Sequence, residues 1–206
     1  MNEPAAVEQS RWITKTQEDP DHSKSYIERF RTMAADGKDL VGEARLIDAM
    51  APRSARILDA GCGPGRVGGY LHAAGHMVVG VDIDPELIAA AEEDHPGPTW
   101  LVQDLALLDL PSQGITEPFQ LIVSAGNVMT FLAPSTRRQV LTGFERHLEA
   151  DGRAVIGFGL ARDYEIEDYR ADVRSAGLAI EFEFGTWDLR PFTEDADFIV
   201  TVVVKD

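Results

Sequence analysis

The segment Ala-Arg-Ile-Leu-Asp-Ala-Gly-Cys-Gly-Pro-Gly-Arg-Val-Gly, residues 55–68, takes an apolar run directly into a glycine-rich turn. Ile57 and Leu58 are expected to lie in a short strand, and the glycines that follow permit backbone conformations closed to other residues. Apolar residues then recur at helical spacing up to Gly75, which is suited to a left-handed C-cap. The segment therefore predicts a strand, a tight loop and the start of a helix.

A glycine loop before a helix indicates a ligand that approaches the main chain closely. Residues 63–68 fit the dinucleotide pattern G-x-G-x-x-G, and Asp82 lies near the expected distance for a ribose-binding acid. However, Asp59 would lie close to a pyrophosphate, and Pro64 has no N–H to donate to one. An NAD(P)-dependent reductase is therefore the less favoured alternative. S-adenosylmethionine carries an ammonium and a sulfonium but no phosphate, so it does not conflict with either residue.

The run from Leu58 to Gly65 resembles the first motif of the class I S-adenosylmethionine-dependent methyltransferases, which reads acid-x-Gly-x-Gly-x-Gly. The resemblance extends from about Leu40 to the end of the chain. It implies transfer of a methyl group from S-adenosylmethionine to a small-molecule acceptor. Two alternatives stay open at this point: an ordinary glycine-rich turn, and a sensor or partner subunit that binds the cofactor without turnover.

The remaining chain alternates apolar runs with amphipathic segments and ends in two adjacent strand-like runs, 178–184 and 198–204. Adjacent strands without an intervening helix are expected to pair as an antiparallel hairpin. The pattern predicts an α/β fold with a doubly wound, mostly parallel sheet, one antiparallel strand and helices on both faces. The resembled family has seven strands in this Rossmann-like arrangement.

The resemblance implies which residues hold the cofactor, because ligands of such sheets bind at the carboxyl ends of the strands. Asp82 is expected to accept hydrogen bonds from the ribose hydroxyls, and Asp104 from the adenine amino group, with the Leu105 N–H directed at the ring. For either acid, capping of a helix or loop is the alternative; Asp84 is expected to cap the helix after Pro85. The expected cofactor residues are Asp59, Gly61, Cys62, Gly63, Gly65, Asp82, Ile83, Asp104, Leu105 and Ala125.

The acceptor is expected at the same edge of the sheet, near aromatic and cationic residues that follow the strands. Asn127 either orients the acceptor or holds a turn, and Tyr26 either covers the pocket or packs in the core. Two arginines either bind a carboxylate or phosphate of the acceptor or pair with neighbouring acids. The expected acceptor residues are Tyr26, Asn127, Arg162, Tyr164, Trp187 and Arg190. No catalytic base is predicted, because the sulfonium leaving group is already activated.

The composition of the chain argues against several classes of partner and site. The chain has 206 residues and a formal net charge of −16, which repels nucleic acid and anionic membranes. Its one cysteine, Cys62, cannot form an internal disulfide. His72 and His76 are the only histidines at i,i+4 spacing, and Gly75 should break the helix between them, so no metal site is expected. The oligomeric state is left open.

The N-terminal region is expected to be loosely organised. Residues 1–22 are polar and predict a flexible tail, with docking of Trp12 and Ile13 as the alternative. Residues 23–206 predict a single methyltransferase-like domain that begins with two helices. No apolar run approaches the roughly 20 residues that a membrane span needs, and the start of the chain lacks the pattern of a signal peptide. The expected location is therefore cytoplasmic.

Overall fold

The computed structural model describes residues 8–160 and 162–206. Its strands form one seven-stranded sheet in the order β3-β2-β1-β4-β5-β7-β6. The strands are β1 (Arg56–Ala60), β2 (Met77–Asp82), β3 (Thr99–Val102), β4 (Phe119–Ser124), β5 (Leu148–Gly159), β6 (Leu178–Phe184) and β7 (Phe198–Lys205). The α-helices are α1 (Arg11–Glu18), α2 (His22–Ala35), α3 (Gly42–Met50), α4 (Arg66–Ala73), α5 (Pro85–Asp94), α6 (Val128–Phe131), α7 (Arg137–His147) and α8 (Ile166–Ser175).

All neighbouring strands are parallel except β7, which is antiparallel to both β5 and β6. This confirms the predicted doubly wound, mostly parallel sheet with a closing hairpin. The strand order reverses between β1 and β4, since β1 pairs with β2 on one side and with β4 on the other. Ligands of open α/β sheets bind in the crevice outside the carboxyl ends of the strands at such a reversal.

Both faces of the sheet are covered. On β1, Ile57 packs into a cluster with residues of α3 and α4, whereas Leu58 packs into a cluster with residues of α7 and α8. Successive side chains of a strand point to opposite faces, so a strand buried on both faces is apolar throughout. The sheet therefore lies between two helical layers, and its strand ends are left to form a site.

The N-terminal region differs from the prediction. Residues 11–18 form α1, so three helices precede β1 within the described residues, instead of the two expected. Trp12 is only 8% exposed and packs in a cluster with Ile27, Leu87 and Ala90. The prediction of a flexible tail over residues 1–22 is therefore wrong for the described part of that range, because one buried tryptophan anchors an otherwise polar segment. Residues 1–7 lie outside the described residues.

No helix in the described residues has the length and apolar character needed to cross a membrane. The same residues contain no group of three or more side chains suited to a metal ion. His76 packs instead in the interior, where Nδ1 accepts from the Ala55 N–H (3.2 Å) and Nε2 lies 3.0 Å from Asp48 Oδ1.

Candidate active site

A pocket opens at the carboxyl ends of β1, β2 and β4, at the reversal of strand order. Its empty volume is about 840 Å³ with the open mouth included. The expected cofactor residues that line it are Asp59, Gly61, Cys62, Gly63, Asp82, Ile83, Asp104, Leu105 and Ala125. Gly65 is not among the lining residues. A Cβ on Gly65 would come within 3.0 Å of Ala91 and Trp100, so this glycine allows close packing behind the loop.

The glycine loop between β1 and α4 forms one wall of the pocket. Gly61, Gly63 and Gly65 have φ angles of 82°, 55° and 83°, in the left-handed region that favours glycine. A Cβ on Gly61 would also come within 2.3 Å of Val128, so the loop passes directly against the start of α6. The loop therefore presents main chain to the pocket, as the sequence predicted.

Asp59 lies at the end of β1 and is only 2% exposed. Its Oδ2 accepts a hydrogen bond from the Gly68 N–H at 2.8 Å. Burial raises the pKa of Asp59 to about 7, although the hydrogen bond from Gly68 opposes the shift. The pocket thus contains a carboxylate that a cationic group would stabilise in its charged form.

Asp82 ends β2 and ties together the two loops that meet there. Oδ2 accepts from the Gly63 N–H at 2.9 Å, and Oδ1 accepts from the Asp84 N–H at 3.0 Å. Burial raises the pKa of Asp82 to about 6. A carboxylate has about four acceptor positions, so each oxygen retains capacity for a hydroxyl donor of a ligand.

Asp84 and Asp104 each cap the helix that follows them in the chain. Asp84 Oδ1 accepts from the Glu86 N–H at 2.9 Å and caps α5, which confirms the predicted capping role. Asp104 Oδ1 accepts from the Ala106 N–H at 2.9 Å and caps the short 3₁₀ helix Leu105–Leu107. Asp104 therefore caps a helix, as the alternative predicted, and it also lines the pocket.

Four aromatic side chains form a further wall of the pocket, which is called the aromatic wall below. The ring of Trp12 meets those of Tyr26 and Phe131 edge to face, with centroid distances of 5.2 and 5.6 Å, and Tyr26 lies 4.9 Å from Phe30. All four line the pocket. Tyr26 was expected there, whereas sequence reasoning missed Trp12, Phe30 and Phe131. For Trp12, the signal in the sequence was an aromatic residue within an otherwise polar N-terminal segment.

Trp12 is held by polar contacts as well as by packing. Its indole Nε1–H donates to Asp84 Oδ2 at 2.7 Å, and the Ser23 hydroxyl donates to the same oxygen at 2.5 Å. Asp84 therefore ties α1 and α2 to the carboxyl end of β2. The N-terminal helices form part of the pocket because of this connection.

Two of the expected acceptor residues lie together at the ends of β4 and β5 without lining the pocket. Asn127 has a φ angle of 67°, and its Oδ1 accepts from the Gly159 N–H at 2.8 Å. This contact fits the alternative in which Asn127 holds a turn. Arg162 is exposed, and no ion pair joins it to another residue within 8–160 and 162–206. The predicted pairing of Arg162 with a neighbouring acid is therefore not observed.

The other expected acceptor residues are not brought to the pocket. Tyr164 is 1% exposed, and its hydroxyl donates to Asp172 Oδ2 at 2.9 Å, so it belongs to the core. Trp187 packs against the face of the sheet, where Gly157 leaves room for its ring. Arg190 pairs with Asp188 at 3.5 Å on the surface, as the alternative predicted. The predicted directions of the preceding strands are confirmed, but these three side chains do not line the pocket.

Comparison with known proteins agrees with this geometry. A family model described as a methyltransferase domain matches residues 57–152. The crystal structure of a TehB-like S-adenosylmethionine-dependent methyltransferase from Corynebacterium glutamicum is 50% identical, with a TM-score of 0.86, and the match covers 91% of this chain and 100% of that one.

More distant matches share parts of the chain or the fold. A malonyl-[acyl-carrier protein] O-methyltransferase from Pectobacterium atrosepticum is 36% identical over 69 residues, which span 34% of this chain and 27% of that protein. The magnesium protoporphyrin IX methyltransferase of Synechocystis, crystallised with bound S-adenosylmethionine, is 17% identical with a TM-score of 0.68 and covers 98% of this chain and 100% of its own. That similarity concerns the fold.

The Corynebacterium relative is similar along its whole length, and the methyltransferase domain model covers the strands and loops that build the pocket. These matches agree with the glycine loop and with the acids at the strand ends. The chain therefore belongs to the S-adenosylmethionine-dependent methyltransferases.

Proposed function

We propose that this protein transfers the methyl group of S-adenosylmethionine to a small-molecule acceptor that binds beside the aromatic wall. The observation that carries the proposal is the wall itself, in which Trp12, Tyr26, Phe30 and Phe131 cover a pocket of about 840 Å³. Aromatic rings with few polar groups suit a small organic ligand. A net charge of −16 disfavours nucleic acid as the acceptor.

The acids of the pocket fit the cofactor. Asp82 would accept hydrogen bonds from the ribose hydroxyls with the acceptor positions left free by Gly63 and Asp84. Asp59 would stabilise the positive charges of the methionine portion, either directly or through the main chain. Asp104 and the Leu105 N–H would contact the adenine. When bound, S-adenosylmethionine supplies a methyl group on a positively charged sulfur, which is an activated leaving group.

The protein's own contribution is then alignment and exclusion of water. The glycine loop, Asp82 and the aromatic wall all line the pocket, so bound ligands would be held by the main chain and the carboxylate and shielded from water by the rings. Holding donor and acceptor in line makes a large contribution to methyl transfer, and a dry site strengthens the electrostatic contacts. We assign no catalytic residue, because the sulfonium is already an activated leaving group and methyl transfer does not require a general base.

The proposal is tested by following S-adenosylhomocysteine formation with labelled S-adenosylmethionine. Small-molecule extracts, total RNA and unfolded protein are offered as separate acceptors, and a Asp82→Asn variant serves as the control with impaired cofactor binding. With the label in the methyl group, we expect it in small-molecule products separated from the cofactor and not in RNA or protein, with less product for the variant. Label in RNA or protein, with none in small molecules, would show that the acceptor class is wrong.

A further inference from the structure

Arg137, the first residue of α7, is a charged side chain in an unusual environment. It is only 6% exposed, and its Nε and Nη2 atoms are buried without a hydrogen-bond partner among residues 8–160 and 162–206. Burial lowers the pKa of this guanidinium below its ordinary value. Burying an unpaired cation is unfavourable, so a group of this kind calls for a partner that completes it.

The two unpaired nitrogens lie on the same edge of the guanidinium, and other arginines of this chain show what that edge binds. Arg31 donates from Nε and Nη2 to the two oxygens of Asp94, both at 2.9 Å. Arg170 donates from the same two atoms to the oxygens of Glu183 at 2.8 and 2.7 Å. The Nε–Nη2 edge of Arg137 therefore has the geometry of a bidentate carboxylate receptor.

Tyr164 fixes the plane of this receptor. The Arg137 guanidinium carbon lies 4.1 Å from the centre of the Tyr164 ring, within the distance of a cation–π contact. The Tyr164 hydroxyl donates to Asp172, so the ring cannot rotate freely and Asp172 is already engaged. Stacking leaves the edge of the guanidinium available while its face is covered.

The nearest other acids are also engaged. Glu8 accepts from the hydroxyl and the N–H of Ser135 at 2.5 and 3.3 Å, and these bonds lower its pKa. Asp163 pairs with Arg11 at 3.1 Å. The region around Arg137 therefore contains a second cation but no free carboxylate from these neighbours. Each of these carboxylates is held by a donor other than Arg137, so the guanidinium edge itself stays available to an anionic ligand.

Segments that contact the surroundings of Arg137 also reach the pocket. Leu132, five positions before Arg137, lines the pocket, and so do Ser10 and Trp12 on either side of Arg11, whereas Arg137 itself is not a lining residue. The contacts that tie the start of α1 to this region, Glu8 with Ser135 and Arg11 with Asp163, are exposed. Exposed polar contacts of this kind contribute little stability, so a small shift of this segment can uncover the guanidinium edge.

We propose that the Nε–Nη2 edge of Arg137 binds a carboxylate of the methyl acceptor, so that the acceptors are small organic carboxylic acids. The inference rests on the proposed function and adds a substrate class to it. Arg11 supplies a second positive charge close to the same position. Arg137 acts as an acceptor-binding residue and takes no part in the transfer step.

The test uses the complex with S-adenosylhomocysteine and three aromatic probes: benzoate, benzamide and phenyl phosphate. Calorimetry at constant ionic strength should detect benzoate binding, with no comparable binding of benzamide. Arg137→Gln and Arg137→Lys should weaken benzoate at least tenfold, since neither keeps the two-pronged edge. Arg138→Gln is the matched control, because Arg138 is the neighbouring arginine on the same helix but is exposed.

Each outcome decides the inference. Equal binding of benzoate and benzamide, or unchanged benzoate affinity in both Arg137 variants, would overturn it, and a preference for phenyl phosphate would assign the receptor to a phosphate instead. Arg137→Gln should not lower the melting temperature, since it removes an unpaired buried charge. In the wild type, the Nε–H resonance of Arg137 should move when benzoate is added; a fixed resonance also contradicts the inference. Failure of S-adenosylmethionine to bind would instead overturn the proposed function.

Discussion

At the scale of single residues, the charged forms of the two buried carboxylates of the pocket destabilise the ligand-free protein but favour binding of the cofactor. Asp59 has its pKa raised to about 7 and Asp82 to about 6, in both cases mainly by burial. A carboxyl group whose folded pKa lies above its unfolded value stabilises the fold at low pH. That contribution is lost as the pH rises through 6 to 7, where both groups become charged in the absence of a ligand.

Asp59→Asn should therefore raise the melting temperature of the ligand-free protein by a few degrees at pH 8, because a buried charge is removed while the amide oxygen can still accept from Gly68. The difference should shrink as the pH falls and vanish below about pH 4, where the carboxyl is protonated in both the folded and the unfolded state. A surface control, Asp39→Asn, should not stabilise the protein at pH 8. Equal melting of Asp59→Asn and wild type at pH 8 would mean that Asp59 is not held in a strongly desolvated state.

The same substitution should weaken S-adenosylmethionine more than adenosine, because only the former brings positive charge to Asp59. Binding of the cation should also release protons from Asp59 near pH 7, and calorimetry in buffers of different ionisation enthalpy measures that release. Affinity should then increase from pH 5.5 to 8 in the wild type. Equal losses for adenosine and S-adenosylmethionine would assign Asp59 a purely structural role.

Asp82→Asn should reduce cofactor affinity by about 2–4 kcal/mol, because charge-assisted hydrogen bonds to the ribose are lost. The Gly63 and Asp84 N–H groups donate to different oxygens of Asp82, so the amide keeps an acceptor for one of them, and the fold should persist with one loop hydrogen bond lost. Calorimetric titration measures the affinity, and circular dichroism checks the fold. Unchanged affinity would show that Asp82 does not contact the ribose.

The residues at strand ends were predictable because the boundary between an apolar run and a glycine loop fixes their position along the chain. Asp59 and Asp82 follow from that boundary alone. Trp12 and Arg137 do not, since their burial depends on contacts between helices far apart in sequence. Tyr164 shows the converse: its strand end was placed correctly, yet its side chain turned into the core because Phe158 and Tyr169 offered a better apolar contact.

At the scale of elements, α1 is the part of the fold that the sequence pattern did not predict, and Trp12 is its anchor. Trp12→Ala should remove both the packing against Tyr26 and Phe131 and the hydrogen bond to Asp84. Amide exchange in α1 should then accelerate, while exchange in β1 and β4 stays slow. Once an acceptor is known, its Michaelis constant should rise.

The matched control for this prediction is Lys15→Ala, an exposed position on the same helix. It should change neither the amide exchange of α1 nor the Michaelis constant. If Trp12→Ala left both quantities unchanged, α1 would have no part in holding the pocket closed. A loss of cofactor affinity alone would instead indicate that Trp12 acts through Asp84 and the end of β2.

The contact between β2 and β3 depends on one glycine. A Cβ on Gly80 would lie 2.1 Å from the ring of Trp100, so Gly80→Ala should destabilise the protein by about 1–3 kcal/mol through overpacking. Gly143→Ala in α7 is the control, since its Cβ would meet its nearest neighbour at 3.7 Å. That change should stabilise the protein by about 0.5–1 kcal/mol because alanine favours the helix. Urea denaturation measures both effects.

The elements differ in how well sequence alone could predict them. The β6–β7 hairpin was predictable, because two strand-like runs without a helix between them must be antiparallel to pair. The start of β5 was not: the strand begins at Leu148, which pairs with Phe119 before an irregularity in the β4–β5 register. An irregularity of that kind depends on the neighbouring strand.

At the scale of the whole molecule, the strongly negative charge should act on ligands according to their own charge. The formal net charge of the protein is −16. S-adenosylmethionine is a net cation at neutral pH, whereas S-adenosylhomocysteine has no net charge. A field of this sign steers a cation towards the protein, and salt screens the field over about 10 Å at 0.1 M.

The association rate of S-adenosylmethionine should therefore fall severalfold as the salt concentration increases from about 20 to 300 mM, whereas that of S-adenosylhomocysteine should change little. Stopped-flow tryptophan fluorescence measures both rates, since Trp12 lies in the wall of the pocket. The dissociation rates should be less sensitive to salt, because short contacts with buried groups are poorly screened. If both ligands showed the same salt dependence of association, the long-range field would not be responsible. S-adenosylmethionine would then be distinguished from S-adenosylhomocysteine only inside the pocket, by Asp59.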